Sequence, residues 1–297
     1  MKTEKCVIPE NCFCGHKKTG VNLCKNKKDD FVQRVIVHIP HSSTVIPEVF
    51  RPEFLVQEEV LQKELLCMTD WYTDELFTCA GCHMIVHNVS RLVCDPERFL
   101  DPDEESMWQK GMGMYYTRTS DGERMKKSPL SSKDGWQSYA RALAVYQKHH
   151  DNLRFVVGQQ VERYGALLID GHSFAASALP YESGKCLQQK RPDICLGVDT
   201  DFTPESLLAF AKEYFTQQGL CVAVNTPFAG TMVPEPFYSR KDKRVHSLMI
   251  EVNRSLYMNE EIGEKKASFQ EVQAILQQFL HQARKQYLMS LPKRPLP

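Results

Sequence analysis

The sequence contains no run of about twenty apolar residues, the length that a helix needs to cross a lipid bilayer. Its first thirty residues also lack the apolar core of a signal peptide. Neither sign of charge predominates, because 37 basic residues balance 37 acidic ones. These absences argue against a membrane partner and against a uniform nucleic-acid-binding surface. We therefore expect a soluble, cytoplasmic protein, whose oligomeric state the sequence leaves open.

Two familiar catalytic motifs are missing as well. The zinc motif H-E-x-x-H is absent, so a metal site would have to be built from dispersed residues. Ser42 and Ser173 could each be a nucleophile with a histidine as base, but neither lies in the motif G-x-S-x-G. Serine catalysis is therefore kept only as an alternative.

Cysteine is present, but not in the density of a disulfide scaffold. Eleven cysteines among 297 residues are expected to be mostly free thiols. Five possible metal ligands lie close together in the first thirty residues: Cys6, Cys12, Cys14, His16 and Cys24. This cluster lacks the paired C-x-x-C spacing of structural zinc sites, so we interpret it as a thiol-rich tail, with zinc binding as the alternative.

Short apolar runs alternate with helical patterns along the rest of the chain. QRVIVHIPH (33–41), HMIVHNVS (83–90) and VHSLMIEVN (245–253) are typical of buried strands. We predict a flexible tail over residues 1–30 and a single α/β domain over residues 31–297. Its mostly parallel mixed sheet should be covered by helices on both faces.

One predicted strand, LLIDGHSF, ends in ionisable residues. Strands of α/β sheets are buried along their length, and ligands bind beyond their C-terminal ends. Asp170, His172 and Ser173 are therefore candidates for a site. The alternative is an ordinary tight turn, which the Asp-Gly pair favours.

Polar residues follow most of the other predicted strands too. They are His38 and His41, Ser90 and Arg91, Asn225, and Glu251, Asn253 and Arg254. Because the C-terminal ends of parallel strands meet at one edge of a sheet, this series favours a shared binding site over unrelated turns.

The residue types suit a catalytic metal. Zinc in such sites takes about three histidine or carboxylate ligands and leaves a position for water. His41 and His172 fit this role. For the third ligand, TDWYTDEL predicts a helix that begins at Thr69 and carries Asp70 and Asp74 four residues apart on one face. Alternatively, these acids only stabilise the helix dipole.

Arginines near the same strand ends indicate an acidic substrate. Arg91 and Arg98 lie in the loop after the second strand, and Arg254 follows the last strand. Guanidinium binds carboxylate through two parallel hydrogen bonds, so a small dicarboxylate would need about two such groups. The alternative for Arg91 is a structural pair with Asp95 that pins the long loop.

Eight blocks together carry a resemblance to a known family. In chain order they read PHSS, TDWYTDEL, VSRLVCDPERF, HHDNL, LLIDGHSF, DICLGVDTDFTP, NTPFAGTMVPEPFY and VHSLMIEVNRSLYM. The chain resembles the N-formylglutamate amidohydrolases from about residue 33 to residue 260. Two positions depart from the family pattern: Ser43 replaces a glycine, and Glu97 replaces an asparagine and could neutralise Arg98.

The resemblance implies a phosphorylase/hydrolase-like fold related to zinc exopeptidases. It also implies one zinc ion per chain and cleavage of N-formyl-L-glutamate to formate and L-glutamate, the last step of one route of histidine degradation. The metal would be held by His41, His172 and one of Asp70 and Asp74, with Glu251 as general base. The remaining candidates are Arg91, Arg98 and Arg254 for the substrate carboxylates, Asn225 for the amide, and His150 and His246 for ligand orientation or the oxyanion.

Two rival functions remain open on the sequence. A zinc carboxypeptidase- or amidase-like hydrolase would act on a peptide or cell-wall fragment and would need an open groove. A non-catalytic binding protein on the same fold would have lost a metal ligand, yet each candidate ligand is present in the sequence.

Overall fold

A six-stranded sheet organises the structure, a computed structural model that describes residues 35–130, 132–182 and 190–286. The strands are β1 (Val35–Ile39), β2 (His83–Val86), β3 (Ala166–Phe174), β4 (Ile194–Gly197), β5 (Val222–Val224) and β6 (Val245–Asn253). The N-terminal cysteine cluster and the predicted boundary near residue 30 lie outside the described residues, so those predictions stay predictions.

The strand order in this sheet is β2-β1-β3-β6-β4-β5. Strands β2, β1, β3 and β6 are parallel to one another, whereas β4 is antiparallel to β6 and parallel to β5. The predicted mostly parallel mixed sheet is confirmed. The C-terminal ends of β1, β3 and β6 consequently lie side by side.

Helices cover both faces of the sheet, as predicted. They are α1 (Glu58–Met68), α2 (Thr73–Leu76), α3 (Lys133–Arg163), α4 (Glu205–Gln217) and α5 (Phe269–Gln286), and a small hairpin of β7 (Met258–Asn259) and β8 (Glu264–Lys265) precedes α5. Helix α3 packs on one face, while α2, α4 and α5 pack on the other. Within the described residues, none of the helices combines the length and apolarity needed to span a membrane.

The alternation of side chains along β3 explains the stretch LLIDGHSF. Leu167 and Ile169 point into the core beneath α2, α4 and α5, whereas Asp170 and His172 point to the opposite face. Helix α3 covers only the first part of that face, where Leu168 belongs to its core cluster. The whole stretch therefore belongs to β3, and its polar residues lie on the same face of the sheet as α3, toward the C-terminal end of the strand.

The predicted helix from Thr69 is wrong. Thr69 is the residue at which α1 ends, and α2 begins only at Thr73, after Tyr72 in the left-handed region with φ 65°. The two acids therefore do not share a helix face. Asp70 is buried, whereas Asp74 is exposed.

Candidate active site

A cavity of about 680 Å³ opens beyond the C-terminal ends of β1, β3 and β6. It is lined by several of the predicted site residues: His41, Asp70, Arg91, Arg98, His172, Ser173, Glu251 and Arg254. Glu97, which the sequence analysis did not assign to a metal, also lines it. The irregular loop between β2 and α3 supplies the part of the wall that contains Glu97 and two of the arginines.

His41 follows β1 and is held by a buried carboxylate. Its Nε2 lies 2.8 Å from Asp95 Oδ1, to which the ring N–H donates. Asp95 is itself fixed by Arg91 and by the hydroxyl of Tyr116, which donates to Oδ2 at 2.8 Å. The other ring nitrogen, Nδ1, is buried without a hydrogen-bond partner among the described residues. A histidine oriented through one nitrogen in this way presents the other as a metal ligand.

His172 is oriented in the same manner by a second carboxylate. Its Nδ1 lies 3.0 Å from Asp70 Oδ2, which also accepts the backbone N–H of Ser173 at 3.2 Å. Its Nε2 is 3.0 Å from Glu97 Oε2 but forms no hydrogen bond within the described part of the chain. Burial alone would lower the pKa of His172, but Glu97, Asp170 and Asp70 outweigh it and hold the pKa well above its usual value.

Glu97 completes a set of three metal donors with these histidines. One ligand atom from each of His41, Glu97 and His172 lies within 4.8 Å of the others. The backbone N–H of Glu97 donates to Asp95 Oδ1 at 3.0 Å, so the carboxylate that orients His41 also positions Glu97. Glu97 does not neutralise Arg98: its carboxylate faces His172 and His38, whereas Arg98 faces Asp95 and Glu105.

This donor set fits a divalent metal such as zinc. Two histidines and one carboxylate are a common ligand set of catalytic zinc, and their buried donor atoms lack other hydrogen-bond partners among the residues described. Asp70 orients His172 through Nδ1 and lies 3.6 Å from Nδ1 of His41, so it is a neighbour of the metal donors. Asp74 is exposed and is not part of the cavity wall. The geometry favours Glu97 over both acids as the third ligand.

Asp170 is a further buried carboxylate that contacts both His38 and His172. Its Oδ1 lies 2.8 Å from His38 Nδ1 and 3.2 Å from His172 Nε2, and its Oδ2 accepts the backbone N–H of Met232 at 3.0 Å. His38 Nε2 in turn lies 2.8 Å from His149 Nε2. The sequence predicts His38 and Asp170 at strand ends. In the structure they contact Glu97 and His172, two of the candidate metal donors, and help to hold these side chains in position.

Glu251 lies beside His172 because β3 and β6 pair in register at these two residues. It is only 7% exposed, and its Oε2 has no hydrogen-bond partner in the described residues. Burial raises the pKa of Glu251 to about 8, with Asp70 and Glu97 adding to the shift against the opposing effect of His172 and His41. A carboxyl group with this pKa can both accept and release a proton near neutral pH.

The three arginines differ in how firmly they are engaged. Arg91 donates to Asp95 Oδ2 through Nε and Nη2 at 3.2 and 2.8 Å, which is the structural pair given above as the alternative to substrate binding. Arg98 Nε lies 3.5 Å from the same carboxylate without a hydrogen bond. Arg254 donates from Nη1 to the Cys67 carbonyl at 2.7 Å, while its Nε has no partner among the described residues. Arg98 and Arg254 therefore retain donor groups for an anionic ligand.

The structure does not bring the other candidates into the cavity wall. Asn225 is exposed, with φ 53°, and its side chain accepts the backbone N–H of Val198 at 2.9 Å. His246 lies near the start of β6, about 16 Å along the strand from Glu251. His150 lies behind the cavity wall, where its Nε2 donates to the Pro96 carbonyl at 2.7 Å and so steadies the backbone next to Glu97.

Comparisons with known proteins show the family of this chain and proteins of similar fold. The profile of the N-formylglutamate amidohydrolase family matches residues 33–258. The crystal structure of N-formylglutamate amidohydrolase from Ralstonia eutropha JMP134 has a similar fold, with a TM-score of 0.72 and 21% identity over 87% of this chain and 96% of that one. A gene product of Agrobacterium tumefaciens matches with a TM-score of 0.53 and 16% identity over 85% and 90% of the two chains. The search of curated proteins gave no match.

Proposed function

Since the chain belongs to the N-formylglutamate amidohydrolase family, and so is a hydrolase of a linear amide, we propose that it cleaves N-formyl-L-glutamate to formate and L-glutamate with one bound divalent metal, zinc by preference. The observation that carries the metal dependence is the convergence of donor atoms of His41, Glu97 and His172 in one buried group. This reaction would be the last step of one route of histidine degradation.

The proposed metal would supply Lewis-acid polarisation of the formyl oxygen and would acidify the attacking water. Glu251 accepts the proton of that water and passes it to the nitrogen of the leaving amine. Its position next to His172 puts the carboxylate at the edge of the metal donors, and its burial keeps the proton from escaping to solvent. Asp95 and Asp70 hold the two histidines so that little reorganisation is needed during the reaction.

The substrate carboxylates are bound by Arg98 and Arg254 in this proposal. Both side chains line the cavity and have an Nε without a hydrogen-bond partner among the described residues. Arg91 anchors the loop by donating to Asp95, and its guanidinium adds positive charge to the cavity wall. A bidentate pair between guanidinium and carboxylate is stronger than a bond to a neutral amide, so this wall selects an acidic amino acid.

The test of the proposed function is direct. Purified protein should contain about one divalent metal per chain and should release formate from N-formylglutamate. Removing the metal with a chelator should abolish formate release, and adding zinc back should restore it. If metal-replete protein releases no formate, N-formylglutamate is not the substrate. If the protein is fully active without metal, the proposed metal-dependent mechanism is wrong.

We expect N-formylglutamine to be a poor substrate. It replaces the γ-carboxylate with a neutral amide and leaves the guanidinium of Arg98 without its charged partner, at a cost of about 2 kcal/mol in transition-state binding, or roughly thirtyfold in kcat/KM. Arg98→Met should reduce this preference, because it removes the proposed partner of the γ-carboxylate. Equal kcat/KM values for the two compounds with the unaltered enzyme would refute the arginine clamp.

We expect Glu97→Gln to weaken zinc binding by about a hundredfold or more, because the amide supplies no charge to the metal. Asp70→Asn should have a smaller effect, about tenfold to a hundredfold, since Asp70 acts through His172. The exposed Asp74 gives the matched control, and Asp74→Asn should bind zinc like the unaltered protein. Competition with a zinc chelator measures all three. Normal affinity in the Glu97 variant together with a loss of about a hundredfold or more in either the Asp70 or the Asp74 variant would support the ligand predicted from the sequence, one of Asp70 and Asp74.

One observation favours a second candidate function. A cavity of about 680 Å³ is in the range that holds drug-sized ligands and is roomy for a substrate with a one-carbon acyl group. An amidase-like hydrolase of a longer acyl-amino acid or peptide would use the same metal donors and Glu251. Comparing N-formylglutamate with N-acetylglutamate and larger N-acyl derivatives on one preparation separates the two functions.

A further inference from the structure

A second pair of reactive side chains lies in the turn between α2 and β2, outside the proposed active site. The sequence there reads Cys79-Ala80-Gly81-Cys82, and both thiols are half-buried. The backbone N–H of Cys82 donates to the Cys79 carbonyl at 3.2 Å, which closes a β-turn. Gly81 has φ +86°, the conformation that the third position of a type II turn requires.

This turn suits a bond between the two sulfurs. The ends of a β-turn are less than about 7 Å apart between Cα atoms, and a disulfide needs roughly 4.4 to 6.8 Å. Because the closing hydrogen bond is present, the chain would need little rearrangement to bring the sulfurs together. The half-buried position also leaves the thiols more accessible than Cys94 and Cys195, which are buried.

The surroundings distinguish the two thiols. The neighbouring Cys82 side chain lowers the pKa of Cys79 to about 7, and the guanidinium of Arg284 contributes in the same direction. The same pairing raises the pKa of Cys82. Arg284 extends from α5 over the turn, so near that a Cβ added at Gly81 would lie 2.3 Å from its Nη1. Cys79 is thus the better nucleophile, and Cys82 is the neighbouring thiol that can respond to it.

We propose that Cys79 and Cys82 form a redox-active dithiol that low-molecular-weight disulfides oxidise to an intramolecular disulfide. The Cys79 thiolate attacks one sulfur of the disulfide reagent, forms a mixed disulfide and releases one thiolate. The Cys82 thiolate, after losing its proton to water, then attacks the Cys79 sulfur and releases the second. Two protein thiols and one disulfide reagent become one protein disulfide and two small thiols, so electrons and protons balance.

The location predicts that this oxidation leaves hydrolysis unchanged. Cys82 immediately precedes β2, whose first residue pairs with Ile36 near the start of β1. His41 follows the opposite end of β1, so the dithiol and the proposed metal donors are separated by the length of the strands. The dithiol is therefore a modification site in its own right, independent of the proposed function.

The test is to incubate the full chain with glutathione disulfide and map its cysteine-containing peptides by mass spectrometry. We expect the peptide with Cys79 and Cys82 to lose two hydrogens, which is the signature of an internal disulfide. Cys221 is the internal control: it is exposed, and its flanking sequence QGLCVAV offers no second cysteine, so it should stop at the glutathione adduct. Free thiols or stable glutathione adducts on Cys79 and Cys82, under conditions that modify Cys221, would overturn the proposal.

Two matched variants test the assigned order of attack. Cys82→Ser keeps a hydroxyl that can donate to Cys79, so a glutathione adduct should accumulate at Cys79 and persist. Cys79→Ser should react at Cys82 at least about threefold more slowly, because less of that thiol is ionised near pH 7. Equal rates in the two variants would overturn the assignment of Cys79 as the attacking thiol.

Discussion

His172→Ala is expected to abolish both metal retention and hydrolysis, the largest effect of any substitution considered for this chain. The imidazole supplies one of three donors, and its loss leaves Glu97, Asp70 and Asp170 facing each other without a histidine between them. Catalytic zinc sites have about three protein ligands, so removing one leaves too few to hold the ion. The main-chain hydrogen bonds of β3 are unaffected, and the protein should remain folded.

The measurement combines metal analysis of the purified variant, formate release and thermal unfolding. His281→Ala is the matched control, because His281 is exposed on α5 and should be dispensable for metal and activity. A variant that keeps a normal metal content would show that His172 is not a ligand. Loss of metal accompanied by normal turnover would show that the metal has no part in the reaction.

Glu251→Gln is expected to lower kcat by about a hundredfold or more while metal content and KM change little. Glutamine has nearly the same shape, so the packing beside His172 is kept, but it cannot accept a proton from water. The buried carboxyl with its pKa near 8 is the group in the cavity wall best suited to this transfer. Near-normal turnover would move the role to another residue, and a loss of metal would show that Glu251 is a ligand.

Much of the candidate site could be predicted from the sequence because the geometry of strands follows strict rules. A strand followed by a histidine at position 41, a strand carrying His172, and a strand carrying Glu251 must converge if the sheet is parallel. The register of β3 and β6 then places Glu251 opposite His172. These three residues follow from local pattern and fold class alone.

Glu97, the third metal ligand in our proposal, could not be predicted in the same way. Glu97 lies in the irregular loop between β2 and α3, whose path is fixed by long-range contacts such as the Asp95 bonds to Arg91 and Tyr116. A signal was nonetheless present, because Glu97 departs from the asparagine usual at this position in the family. From the sequence alone, that departure indicates a carboxylate that could neutralise Arg98, and it does not indicate a metal ligand.

Other differences between the sequence predictions and the structure concern the course of short segments and the contacts of single side chains. The pattern of TDWYTDEL predicts one helix. In the structure Tyr72 has a left-handed backbone conformation, so Asp70 precedes α2 and does not share a helix face with Asp74. His246 and Glu251 both belong to β6, and strand length alone separates them. Asn225 follows β5, and its side-chain oxygen accepts the backbone N–H of Val198. Sequence patterns locate residues on elements but do not show where each side chain is used.

The crowding of acids around His172 has a thermodynamic consequence. Asp70, Glu97 and Asp170 face His172 in a largely buried setting, so the native state needs a positive charge among them, either the protonated imidazole or a bound cation. A metal that binds only the native state shifts the folding equilibrium by mass action, by about 1.4 kcal/mol for each tenfold rise in free metal above its dissociation constant. If the proposed metal is that cation, the free energy of unfolding depends on the concentration of free metal, and depletion of the ion would lower the amount of folded protein as well as the rate of hydrolysis.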